Sequence, residues 1–223
     1  MKNLKILSMN LGYGFIFIKE KKKKIILKEQ IKKEDYDIVM LQGNNIDVNY
    51  EDLGYEAINS NDKAVTFFKE KLPICNTELF GSGIVNVLVT SYYSRPLVVV
   101  NVNCKNMKSY SYDVRSFDTV LDMCKKYSDP ASEYFVRRMI VAGRFPRGVD
   151  TNIFCDMFDL DDVSTLVGID THIKNNREML NHFFISRSLE AESVHKLVGM
   201  SEVTKVGEAY PIETSISYKK VLK

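Results

Sequence analysis

The 223-residue chain is poor in the residues that mark several whole classes of protein. Five prolines and eleven glycines exclude collagen-like and Pro-rich disordered chains. The cysteines are only Cys75, Cys104, Cys124 and Cys155. No two of them form a CxxC pair, so a zinc site has no support. A chain of this length buries roughly 70% of its unfolded surface and needs no disulfide framework. Free thiols then suit a reducing cytosol. Charge of one sign is also scarce: 31 basic and 29 acidic residues leave a formal net charge of +2. That balance exerts no general pull on nucleic acid or membrane. No stretch reaches the ~18 consecutive apolar residues of a membrane span. The apolar N-terminus is broken by Asn10 and Gly12, and no small-residue cleavage site precedes the lysine cluster. A soluble, cytoplasmic protein is expected. Nucleophile and nucleotide motifs are missing too. There is no G-x-S-x-G, no P-loop, and Gly12-Tyr-Gly14 lacks the third glycine and the helix start of a dinucleotide turn.

What is present is ordinary globular material: 45% hydrophobic, 11% aromatic and 27% charged residues. Lys5–Leu11 reads as a strand running into the Gly12–Gly14 loop. Lys19–Asp35 sets Ile25, Ile26, Leu27 and Ile31 among lysines, an amphipathic helix. Asp37–Gln42 is an apolar run suited to a buried strand. Strand, helix and apolar strand make a βαβ-like opening. Ala64–Lys69, Ile84–Thr90 and Leu97–Asn103 are further strands, the last two joined by a hairpin turn at Ser91–Pro96. Val114–Tyr127 has helical spacing and stops at Ser128-Asp-Pro130. Arg138–Ala142 is a strand entering a turn at Gly143–Pro146, and Asp156–Asp162 is an acidic loop with a short helical turn. Phe183–Ser186, Val194–Val198 and Ile212–Tyr218 are the remaining strands. No linker or repeat divides the chain, which reads as one α/β domain spanning residues 1–223, rich in strands and poor in helices.

Six strand ends carry more than secondary structure. They are Leu7-Ser-Met-Asn10, Asp37-Ile-Val-Met-Leu-Gln42-Gly43, Val100-Asn-Val-Asn103, Ala142-Gly-Arg-Phe-Pro146, Leu180-Asn-His-Phe-Phe-Ile-Ser186 and Gly207-Glu-Ala-Tyr-Pro-Ile212. In order and spacing they resemble the endonuclease/exonuclease/phosphatase (DNase I-like) superfamily. The resemblance implies a four-layered α/β sandwich, two mixed β-sheets face to face with helices outside. It also implies a site at the strand ends just quoted, where carboxylates hold Mg²⁺ for phosphoester hydrolysis.

The same resemblance shows what is changed. Asn10 keeps the family's asparagine. The metal-binding glutamate after Leu-Gln is Gly43, and the strand-end histidine is Asn103. The G-D-F-N turn has Arg144 for its aspartate and Pro146 for its asparagine. The aspartate before His182 is Asn181, and the final aspartate and histidine are Glu208 and Ala209. Mg²⁺ asks for hard oxygen ligands, usually carboxylates. Gly43 offers no side chain, and Arg144 brings a cation that does not deprotonate. The expectation is a degenerate site at Asn10, Gly43, Asn103, Arg144, Asn181 and Glu208, with no metal and no confident catalytic residue. Arg144, with Asn10, Asn103 and Asn181, would suit a phosphate; the alternative is that Arg144 pairs with Glu208 and closes the pocket.

Other candidates have bland readings. Asp156, Asp159, Asp161 and Asp162 lack the EF-hand glycine and closing glutamate, and read as a solvated loop or helix cap. Cys155 reads as a half-buried thiol. His182 reads as a packing residue, His172 as a loop residue and His195 as an exposed strand residue; no Ser/His/Asp set is apparent. The basic segment Lys19–Lys33 is either a solvated outer helix or a contact for an anionic surface. No aromatic-interleaved basic patch marks a nucleic-acid reader. The leading functional expectation is a pseudoenzyme: a binding or interaction module of hydrolase-like fold that needs no cofactor and takes a phosphate-containing ligand or a protein partner. Two alternatives are an active Mg- or Mn-dependent phosphodiesterase, nuclease or phosphatase with a rearranged site, and a structural subunit of a larger assembly. The alternatives make different demands: carboxylates near Asn10 for the first, a large exposed apolar patch for the second.

Overall fold

A computed structural model describes residues 3–12, 20–43, 50–60, 63–81, 84–104, 110–146, 149–165, 181–197 and 211–219. The chain order is β1 (Leu4–Gly12), α1 (Glu20–Glu34), β2 (Ile38–Gly43), β3 (Tyr55–Ser60), β4 (Ala64–Lys69), β5 (Ile74–Phe80), β6 (Val85–Tyr92) and β7 (Arg95–Asn103). It continues with α2 (Tyr110–Ser128), β8 (Met139–Arg144), α3 (Thr151–Phe158), β9 (Leu160–Asp162), β10 (Asn181–Ser186), β11 (Leu189–Lys196) and β12 (Ile212–Tyr218). The strands form two six-stranded mixed sheets, ordered β11-β12-β1-β2-β4-β3 and β5-β6-β7-β8-β10-β9.

Three apolar clusters hold four layers together. Leu27 and Ile31, four residues apart on α1, pack with Leu7, Met9, Val39, Leu41 and Phe67 on the outer face of the first sheet. Val120, Met123, Cys124 and Tyr127 of α2, with Phe154 and Phe158 of α3, cover the outer face of the second sheet. Between the sheets lie Leu4, Ile6, Ile38, Leu88, Val99, Ile140, Phe183 and Ile216. This is the four-layered sandwich of the DNase I-like fold. The period-2 pattern explains it, because each central strand alternates one residue toward the helix layer and one toward the opposing sheet.

Several elements differ from the sequence expectation. Strand β3 and strand β5 were not apparent; β5 is largely exposed and has no buried apolar alternation to read. The supposed acidic loop is α3 followed by β9. Asp150 caps α3, its carboxylate accepting from the amides of Asn152 and Ile153. Asp159 then ends the helix at a left-handed φ of 54°. Strand β8 runs through Gly143 to Arg144, so these two belong to the sheet and not to a turn. Strand β11 begins at Leu189, five residues before the expected start.

Gly143 is required where it stands. Its φ is +130°, and a Cβ there would lie 2.1 Å from the Val102 carbonyl oxygen on β7. The position admits no side chain, and it fixes how β8 delivers Arg144 to the strand end.

Candidate functional site

The gap between the sheets changes character along its length. At one end it is filled by aliphatic and aromatic side chains. Toward the other end the inward positions turn polar: Ser8 and Asn10 on β1, Gln42 on β2, Thr66 on β4, Asn86 on β6, Asn101 and Asn103 on β7, Arg144 on β8 and Asn181 on β10. All are buried. Parallel pairing of β1 with β2 sets Asn10 beside Gln42, and pairing of β8 with β7 and β10 sets Arg144 directly between Asn103 and Asn181.

Buried amides must be hydrogen-bonded, and here they are bonded across the gap. Asn86 donates to the carbonyls of Ile58 and Ala64, at 3.2 and 2.8 Å. Asn101 donates to Leu41 and Val65, at 3.2 and 3.0 Å, and to Thr66 Oγ1. Its Oδ1 accepts from Gln42 Nε2 at 2.8 Å. Asn103 donates to Gly43 and Lys63, at 3.0 and 2.6 Å. Three asparagines of one sheet therefore grip the backbone of the other. Both amide hydrogens of Asn103 are spent on this seam.

Of the six expected site positions, the fold brings five to this end: Asn10, Gly43, Asn103, Arg144 and Asn181. Glu208, like Ala209, lies outside the described residues, as does His172. Arg144 is 4% exposed and Asn181 5%. The Oδ1 atom of Asn181 is buried with no hydrogen-bond partner among the described residues.

His182, next along β10, faces the other way. It stacks on Phe184 with centroids 5.3 Å apart and meets Phe145 edge-on. Its Nδ1 lies 2.8 Å from Asp162 Oδ2, both side chains buried. Asp162 also accepts from the amide and hydroxyl of Ser164. This pair was not foreseen, because Asp162 comes from β9 and its partner is 20 residues on. The rest of the acidic cluster gathers round Arg187, which reaches Asp156 at 2.9 Å, Asp161 at 3.3 Å and Asp159 at 3.6 Å. Burial first, then the nearby Asp162 and Asp161 charges, push the Cys155 thiol up to about 11, so it stays protonated. His195 is exposed on β11, opposite Glu213.

Among the described residues, the donor set does not suit the divalent ion that the sequence resemblance implies. Gly43 supplies only backbone, Asn103 and Asn181 offer neutral amides in place of carboxylates, and Arg144 is a cation. Among the described residues no three His, Cys, Asp or Glu side chains come together in a metal-binding group. None of the four cysteines is in a disulfide. Among the described residues no helix is long and apolar enough to cross a membrane.

No protein-family model matches the sequence, and no curated protein sequence does. Solved structures do match. The human Nocturnin catalytic domain with bound sulfate anion superposes with a TM-score of 0.76 at 14% identity, over 98% of this chain and 96% of that one. An endonuclease/exonuclease/phosphatase from Bacteroides vulgatus gives 0.69 at 12%, over 98% and 100%. The mannosyl-6-phosphatase of Bacteroides thetaiotaomicron gives 0.70 at 13%, over 96% and 100%. The chain has the endonuclease/exonuclease/phosphatase fold.

Proposed function

We propose that residues 1–223 form one domain of this fold that has given up hydrolysis and serves as a binding module, its strand-end centre holding a phosphate group on Arg144. The observation that carries this reading is the register of β8: a buried Arg144 stands between Asn103 and Asn181, and Asn103 bonds across the gap to Gly43. Hydrolysis needs a generated nucleophile and charge neutralisation on the phosphoryl oxygens. Gly43, Asn103 and Asn181 supply neither carboxylate nor imidazole.

Binding needs less. A guanidinium meets two phosphate oxygens at once through its planar fork. With Arg144 shielded from water, that attraction is screened far less than on the surface. Asn103 acts as a positioning residue, since its amide holds Gly43 and Lys63; the buried Oδ1 of Asn181 lies beside Arg144. Human Nocturnin, of the same fold, binds a sulfate, an oxyanion of the same tetrahedral shape. Free thiols at all four cysteines fit a reducing compartment such as the cytoplasm.

A rearranged metal-dependent hydrolase is less well supported, for want of carboxylates among the described residues near Asn10. A purely structural subunit is also less well supported. The exposed large apolar side chains are spread over α1 (Ile25), β5 (Ile74, Leu79), α3 (Ile153, Met157) and the 134–135 turn, with Tyr93 on a hairpin. The test is thermal denaturation with inorganic phosphate, alongside turnover of generic phosphomonoester and phosphodiester substrates in Mg²⁺ or Mn²⁺. Phosphate should raise the melting temperature of the wild type and not of Arg144→Gln, with no turnover above background. Metal-dependent turnover, or equal phosphate stabilisation in Arg144→Gln, would overturn the reading.

A further inference from the structure

The opposite pole of the sandwich carries a second constellation, independent of the strand-end centre. Arg95 opens β7 and Asn103 closes it, so the two poles are about 26 Å apart along one strand. At this pole Tyr92 and Tyr218 latch the sheets together. The Tyr92 hydroxyl donates to the Ile216 carbonyl at 3.0 Å, and the Tyr218 hydroxyl to the Tyr92 carbonyl at 2.7 Å. Tyr93 packs against Tyr92 with centroids 4.5 Å apart and the rings tilted by 56°, and its ring lies 6.3 Å from that of Tyr218, yet the residue remains 39% exposed.

Two guanidiniums converge on the same aromatic group. The Cζ atoms of Arg138 and Arg95 lie 4.8 and 5.3 Å from the Tyr218 centroid. Neither arginine forms an ion pair among the described residues, and Nε of Arg138 is buried without a hydrogen-bond partner among them. Two like charges brought to one ring repel each other. The ring offsets this in part, and an anion in reach of both guanidiniums would offset it further.

The hairpin that presents the third ring is strained. Tyr92 pairs with Arg95, leaving a two-residue loop in which Tyr93 has φ +50° and Ser94 φ +58°. Such loops favour Asn-Gly, because both positions need the left-handed region. A tyrosine there sacrifices backbone comfort to place an aromatic ring at the surface, beside two cations that form no ion pair among the described residues. Backbone strain of this kind gathers at functional positions.

We propose that this pole binds single-stranded nucleic acid, a phosphate bridging Arg95 and Arg138 and a base stacking on Tyr93. Every base has a π-face, so the contact is tolerant of sequence. The planar forks of the arginines match phosphate oxygens.

The test is fluorescence anisotropy with a labelled twelve-nucleotide oligothymidylate, titrated from low to physiological salt. Tyr93→Asn should weaken binding about tenfold, the scale of one lost base stack. The same variant should melt higher than wild type, because asparagine tolerates the left-handed region. Loss of binding therefore cannot be ascribed to misfolding. Arg95→Ala and Arg138→Gln should each weaken binding, and together they should reduce the slope of log affinity against log salt by about 0.7, the one bridged phosphate on a single strand. Arg95 is exposed, so its variant keeps the test decisive where Arg138→Gln folds poorly. A Lys24, Lys32 and Lys33 triple serine variant should keep its sensitivity to Tyr93→Asn. Absence of binding in low salt, wild-type affinity in Tyr93→Asn, or binding that depends only on the lysine helix would overturn the proposal.

Discussion

Replacing Asn101 by alanine should be the most damaging of the seam substitutions. Asn101 is wholly buried: its two amide hydrogens are shared among the carbonyls of Leu41 and Val65 and Thr66 Oγ1, and its Oδ1 accepts from Gln42 Nε2. The two carbonyls also serve the β2–β4 ladder, so their loss costs less than that of a sole partner. Counting the remaining two bonds at about 1 kcal/mol each, and a further ~1 kcal/mol for the carbonyls and the small cavity, gives about 3 kcal/mol. For a chain of this size that lowers the melting temperature by about 6 to 12 °C. Urea unfolding supplies the measurement, through a shifted midpoint at unchanged slope. A double-mutant cycle with Gln42→Ala isolates the amide–amide bond, and the coupling should be about 1 kcal/mol. If Asn101→Ala lies within about 0.5 kcal/mol of wild type, the ordinary range for surface changes, the seam does not hold the sheets. A coupling indistinguishable from zero would refute the amide–amide bond specifically.

Gly143→Ala should cost about 3 kcal/mol or more and fail to express in folded form, since its Cβ would strike the Val102 carbonyl; a melting curve matching wild type would contradict this. The hydrogen bond from Lys5 holds the Glu34 carboxyl below its ordinary value of 4.5. A depressed carboxyl contributes stability that is present above that value and is lost as pH falls through the folded one. Glu34→Gln should therefore be less stable than wild type at pH 7, with the gap closing below pH 4, as followed by urea midpoints; a constant gap would refute the pairing. Brief alkylation at pH 8 with mass readout should label the exposed Cys75 first. Cys155, with its thiol raised to about 11, and the buried Cys104 and Cys124 should react only on unfolding.

The sheet-forming core was legible because its signal is local. Ile38–Gln42, Ala64–Lys69 and Leu97–Asn103 carry apolar runs at strand length, and the order of strand-end residues suggested two face-to-face sheets. Asn86 and Asn101 carried a signal that went unused: each is a lone amide inside a run of valines, at a position facing the opposing sheet. A polar residue there must find partners across the gap. Strand β5 gave no signal because little of it is buried, and Asn76 caps its Thr77 amide in place of a neighbouring strand. The Asp162–His182 pair and the Arg95–Tyr218–Arg138 group join residues from separate elements. No spacing rule reaches such contacts, which exist only once β9 lies beside β10 and β12 closes over the β6–β7 hairpin.

The central claim is that a guanidinium, and not a metal ion, holds the phosphate at the strand ends. Calorimetric titration of inorganic phosphate in chelator and again in Mg²⁺, on wild type and on Arg144→Gln, tests it most directly. The account predicts the same affinity with and without metal in the wild type, and loss of that binding in Arg144→Gln. Phosphate binding that requires Mg²⁺, and survives in Arg144→Gln, would contradict it.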